Sequence, residues 1–336
     1  MRHLGTLLTV VAGAALVGCG GTTNAERPSG PTEPAPTTIP PVVRAGGPAR
    51  VLALVPESAT TLTITDFDAV RARLGVPDLT SEDLMADRTA FWERAGKESV
   101  LLTDGLLRED SSAFMLDHGF TQDDVDWEAR WTGPDGPGYA LAFRPDLDLS
   151  GVQAAVKAGT GPLDETARVL AADHLLVSGE ATDGGPVWAT DPAITDLVVT
   201  GEESAYLRRG CLPLQEALGV DATYEDHEAV LAEYDVTELE PLEAVALTFK
   251  DQVVTARLGE GRTDLRERAD LGPDWPVTGS IGFEDGFTGM PVIDPNTGRI
   301  GYRVANPVAA ANLTLTHLLP FAICDEVEPF EEPTGL

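Results

Sequence analysis

The stretch 125–144, VDWEARWTGPDGPGYALAFR, decides the fold class. Val125, Trp127, Ala129 and Trp131 share one side of an extended chain, while Asp126, Glu128 and Arg130 share the other. That period of two is the signature of a strand with one apolar face. GPDGPG supplies turn residues, and YALAFR reads as the returning strand of an antiparallel hairpin. Trp127 and Trp131 are therefore candidate ligand-binding residues if their face looks outward, and core residues if it looks inward; apolar strand faces are normally core.

The flanks extend the pattern. Upstream, VLALVP (51–56) and TTLTIT (60–65) are β-rich, DFDAVRARLG (66–75) reads as a short helix stopped by Gly75, and TSEDLMADRTAFWERAG (80–96) as a helix capped by Thr80 or Ser81. Downstream, the hairpin leads to a helix at 148–159 and a strand at 167–179. A second hairpin at 243–259, EAVALTFKDQVVTARLG, leads likewise to a helix at 263–272 and a strand expected at 278–285, TGSIGFED. Two related lobes, 50–180 and 181–326, follow from this weak repeat. The expected class is α+β: antiparallel sheets with helices packed on one face. Residues 327–336 form an acidic tail.

The first twenty residues concern place rather than fold. Arg2 precedes an uncharged run, Leu4 to Val17, too short for a relaxed bilayer span, which takes about 20 residues. It suits the apolar core of an export signal, 1–18. Leu16-Val17-Gly18-Cys19 resembles the lipobox of bacterial lipoproteins. That resemblance implies a diacylglyceryl group on the Cys19 thiol, palmitate-type acyl chains, and cleavage that leaves Cys19 first. Two acyl chains hold a protein stably at a membrane, where one does not. Residues 19–49 then carry seven prolines among Thr, Ser and Gly, with no apolar periodicity. This composition reads as a disordered tether, reaching at most ~90 Å in polyproline II geometry. The expected location is the extracytoplasmic face of the cell membrane.

Charge and cysteines narrow the partners. The chain carries 55 acidic against 23 basic residues, a formal net charge of −32. Such a balance opposes binding to nucleic acid. Lysine is confined to Lys97, Lys157 and Lys250, a bias that resembles secreted lipoproteins of high-GC Gram-positive bacteria, for which no activity is implied. With Cys19 lipidated, Cys211 and Cys324 remain, and an oxidising compartment predicts a disulfide between them.

No complete catalytic or metal motif is present, so neither a cofactor nor a metal is expected. Asp294-x-Asn296 imitates the start of a calcium loop, but Gly298 falls at position 5 and Ala305 at position 12, and the spacing fails. DPNTG reads instead as a hairpin turn. His227-Glu228 lacks the second histidine of a zinc helix, since Leu231 stands there, and His118, His174 and His317 are scattered. Gly279-Ser280 breaks the nucleophile-elbow spacing. Acid pairs such as Asp123/Asp124/Asp126 or Glu284/Asp285 could do acid–base work in a cleft. The leading expectation is a lipid-anchored, non-enzymatic envelope protein that binds a ligand or an envelope partner. An extracytoplasmic hydrolase with converging carboxylates, or a transporter-associated solute-binding protein, are the alternatives.

Overall fold

The computed structural model describes residues 48–163, 166–180 and 185–330. The signal segment, Cys19, nearly all of the tether and the end of the acidic tail lie outside the described residues. The first half runs α1 (Pro48–Val51), β1 (Thr61–Asp66), α2 (Phe67–Arg73), α3 (Met85–Glu98), α4 (Ser111–His118), β2 (Val125–Thr132), β3 (Gly138–Phe143), α5 (Ser150–Ala158), β4 (Arg168–Leu170) and β5 (Leu175–Ser178). After the short α6 (Pro192–Thr195) come β6 (Ser204–Arg209), α7 (Leu214–Leu218), α8 (Tyr224–Glu233), β7 (Ala244–Lys250) and β8 (Val253–Arg257). The chain then forms α9 (Leu265–Asp270), α10 (Phe283–Gly286), β9 (Phe287–Asp294), β10 (Arg299–Val304) and α11 (Pro307–Leu315).

Among the described residues, ten strands join one antiparallel sheet in the order β4-β5-β3-β2-β1-β6-β7-β8-β10-β9. From the centre outward, β1-β2-β3-β5-β4 on one side matches β6-β7-β8-β10-β9 on the other. The repeat legible in the two hairpins is thus a repeat of topology, and the halves share a single sheet through the β1–β6 pairing (Leu62 opposite Leu207, Ile64 opposite Ala205).

Alternation divides the side chains between two faces. Trp127, Ala129, Trp131, Ala140, Ala142, Leu175, Ala205, Leu207, Ala244 and Ala246 pack with Leu52, Val55, Trp188 and Ile194, so α1 and α6 cover this face over the middle of the sheet. On the opposite face, Leu141 and Leu176 meet Phe114 and Val152 from α4 and α5. There too, Val245, Leu247, Ala256 and Ile300 meet Leu214, Val230, Leu265 and Leu313 from α7, α8, α9 and α11. Strand β7 has Ala244 through Phe249 buried on both faces. Each fully buried large side chain contributes about 1.5–3 kcal/mol, so the middle of the sheet is its most stable part.

Four local expectations differ from the structure. VLALVP is not a strand: α1 ends at Val51 and turns follow, with Leu52 and Val55 inserted against the tryptophan face. A short apolar run bounded by Pro56 does not by itself choose between strand and buried turn. The helix expected from Thr80 begins at Met85, because the Thr80 N–H donates to the Asp83 carboxylate (2.8 Å) and closes a separate turn first. Residues 167–179 split into β4 and β5 around His174, whose backbone is left-handed. TGSIGFED starts a helical turn, since Asp285 accepts from the Gly282 N–H at 2.8 Å, and the strand follows it as β9.

The C-terminal segment is clamped to the second half. Cys211 and Cys324 are disulfide-bonded, with Cα atoms 4.9 Å apart. Beside them, the Leu212 N–H donates to Ala322 O (2.8 Å) and the Cys324 N–H to Leu212 O (2.9 Å). The buried Arg268 donates to Phe321 O and Ile323 O at 3.0 and 2.9 Å, and to Asp264 Oδ2 at 2.6 Å.

Candidate functional site

Helix α4 stands on the sheet of the first half, α3 packs beside it against α2, and a cleft lies between α3 and α4. Helix α3 is held by Arg88, Phe91 and Ala95, which face inward at helical spacing. Phe91 packs with Val70, Leu74 and Leu79. Helix α4 is held by Phe114, whose ring lies 5.3 Å from that of Phe120, and it ends where Gly119 takes a left-handed conformation (φ +78°). One buried anchor on a short helix leaves its other apolar residues outside. Met115 and Leu116 are exposed, Leu116 by 84%, and share the lining of the cleft with Met85 (66% exposed) at the start of α3.

The cleft encloses ≈ 550 Å³ and is lined by Met85, Thr89 and Trp92 from α3, Ser111, Ser112, Met115 and Leu116 from α4, and Arg108 before it. Its floor is polar but fully engaged. Asp123 accepts from Arg88 Nε (2.6 Å) and Thr121 Oγ1 (2.9 Å) through one oxygen, and from Trp92 Nε1 (2.8 Å) through the other. Arg88 also donates to Thr121 Oγ1 at 2.9 Å. Such a satisfied buried network fixes the rings and helices around it. Above Trp92, the Arg108 guanidinium lies 4.3 Å from the ring centroid, a cation–π contact. Arg108 is itself exposed, lines the cleft and donates to Asp104 O at 3.0 Å. The arrangement suits an apolar group held between methionine and leucine side chains, with a cation and two serine hydroxyls at its edge.

The residues singled out from the sequence lie elsewhere. Trp127 and Trp131 are buried, and Trp131 Nε1 donates to Gly179 O at 3.0 Å, so both are core and neither meets solvent in a groove. Asp124 is consumed locally, accepting from the backbone of Thr121 (2.9 Å) and Ser81 (3.1 Å). Glu284 and Asp285 are exposed at a helix start. Glu128, which alternation puts on the polar side of its strand, is buried beneath the helices, where it accepts from the Leu106 N–H (2.8 Å) and Arg130 Nε (2.7 Å). Burial pushes its carboxyl up, as it does those of Asp66, to about 6, and Glu202. None of these three lines the α3–α4 cleft. DPNTG is the β9–β10 turn, with the Asn296 N–H donating to Asp294 Oδ1 (3.1 Å) and Gly298 at φ +62°. Among the described residues no group of three or more His, Cys, Asp or Glu side chains is disposed to hold a metal ion.

Trp92, Arg108, Met115 and Leu116 carry no motif. The signal available in the sequence was Phe114-Met115-Leu116, three consecutive large apolar residues on a helix that can bury only one of them. Comparison with protein-family models, with curated proteins and with solved structures returns no match.

Proposed function

We propose that this protein is a lipid-anchored binding module of the extracytoplasmic envelope, tethered through Cys19, and that the α3–α4 cleft receives an apolar segment of a protein partner. The observation that carries the reading is the apolar rim: Met85, Met115 and Leu116 are exposed together around a cleft whose floor is immobilised. Large apolar side chains grouped in this way around a concavity mark interaction sites, whereas scattered ones do not. Methionine walls adapt to varied apolar side chains. The anchor and tether rest on the lipobox resemblance and on the Pro-rich composition, and they would hold the cleft within reach of neighbouring envelope proteins. The joined Cys211 and Cys324 accord with an oxidising location.

Two experiments test the two parts. A photo-crosslinking residue placed at Leu116 in cells should yield one discrete protein adduct, absent when it is placed at Val220, an exposed residue of the other half. Equal adducts at both positions would remove the cleft from the argument. Separately, Cys19→Ser should release the protein from the membrane fraction, and unchanged fractionation would refute the anchor.

A further inference from the structure

The opposite end of the sheet holds an unexplained pair of cations. Strands β8 and β10 place Arg257 and Arg299 directly opposite each other, in a row that continues to Ala246 on β7 and Asp294 on β9. They point to the face that α1 and α6 cover only over the middle of the sheet. Where that cover stops, a cavity of ≈ 640 Å³ opens, walled by Ala193 and Leu197, by Ala244, and by the 258–262 loop, with the two arginines in its lining.

Arg257 is only 9% exposed. Among the described residues neither guanidinium has a carboxylate within 4 Å, and the Nε–H of each is buried with no acceptor. This is anomalous in a chain with more than twice as many acids as bases. Among the described residues, every other arginine as buried as Arg257 is answered: Arg71 by Asp126, Arg88 by Asp123, and Arg262 and Arg268 by Asp264. The acids nearest this pair are committed or distant. Asp294 accepts from Thr297 Oγ1 and the Asn296 N–H in its own turn and feels Arg299 only through space. Glu202 senses Arg257 and Lys250 without contact. Burial, and then the charge of Arg299, pull the Arg257 guanidinium below its ordinary value. A buried cation beside a half-buried one, each with an Nε–H that finds no acceptor, costs stability until an anion joins them.

We infer that Arg257 and Arg299 form an oxyanion-binding site, and that its ligand is a small organic carboxylate. Paired guanidinium groups present parallel N–H donors matched to a planar oxyanion. The cavity far exceeds an inorganic ion, and Ala193, Leu197, Ala244 and Leu258 give it an apolar wall for a carbon skeleton. Asp196, Glu240, Glu243 and Glu260 also line the cavity and disfavour ligands of higher charge, such as nucleoside triphosphates. The site is separate from the α3–α4 cleft and does not depend on the reading given for it.

Calorimetry and thermal unfolding of the full chain at low ionic strength, titrated with succinate, sulfate or phosphate, test the inference. Succinate should bind with 1:1 stoichiometry and raise Tm saturably, more than sulfate or phosphate at matched ionic strength. Arg257→Gln and Arg299→Gln should each weaken succinate at least about tenfold, the loss of a charge-assisted hydrogen bond. In anion-poor buffer both variants should be at least as stable as the parent, because each removes a like-charge contact. Destabilised variants would show the pair to be structural, and absent or unchanged succinate binding would overturn the site. Tighter binding of sulfate or phosphate would overturn the carboxylate assignment.

Discussion

Replacing Asp66 by Asn isolates the cost of one buried charge. Asp66 caps α2, its Oδ1 accepting from the Ala69 N–H at 2.8 Å. Burial, opposed by that hydrogen bond and by Arg71 but reinforced by Asp68 and Asp126, raises its carboxyl from an ordinary 3.8 to about 6. Between those values the folded protein keeps a proton that the unfolded chain has released. Stability therefore falls as pH rises through that window, and above pH 6 the loss is complete. At 1.36 kcal/mol per unit, the contribution is about 3 kcal/mol, and on the order of 1–3 after solvent screening. Asparagine keeps the capping oxygen and cannot ionise, and it ranks with aspartate as a cap. Urea unfolding of parent and variant at pH 4.0, 5.0, 6.0 and 7.5 gives the difference in stability at each pH, in which the titration of unperturbed carboxylates cancels. That difference should move in favour of Asp66→Asn by about 1–3 kcal/mol between pH 4 and pH 7.5. A difference constant to within about 0.5 kcal/mol would mean that the Asp66 carboxylate is solvated, and the burial argument would fail.

Four further perturbations probe the fold and the cleft. Replacing both Cys211 and Cys324 by Ser opens a loop with a sequence separation of 113. It should cost up to about 5 kcal/mol in urea unfolding, and a loss below about 1 kcal/mol would show that the Leu212–Ala322 hydrogen bonds suffice. Arg268→Met leaves the carbonyls of Phe321 and Ile323 without their buried donor and removes one of the two donors to Glu240 O. A loss of about 3–5 kcal/mol is expected, with early hydrogen exchange in 319–324, and a neutral variant would contradict the clamp. Trp92→Phe removes the indole donor to Asp123 and should destabilise the protein by about 1–3 kcal/mol. Leu116→Ser, which touches only the rim, should leave Tm within about 2 °C and yet abolish the partner adduct.

The α+β class and the antiparallel pairing were legible because alternation is a backbone property: a strand exposes every second residue whatever it packs against. The hairpins at 125–144 and 243–259 declared themselves in this way, and DPNTG did so through its turn chemistry. The pairing of Cys211 with Cys324 followed from counting, and the reading of Cys19 as an anchor used residues 1–20 alone. Alternation does not say which face is covered. The sequence alone left Trp127 and Trp131 open as candidates; only the arrival of α1 and α6 made that face a core, and only the helices above Glu128 turned a strand acid into a buried one. The same limit hid both candidate sites. Met115 and Leu116 became a rim when α3 stood beside α4, and Arg257 met Arg299 only when β10 paired with β8 across more than forty residues of chain. Local spacing determines the elements, but the neighbours that decide burial, charge and access are distant in sequence and meet only in the tertiary structure.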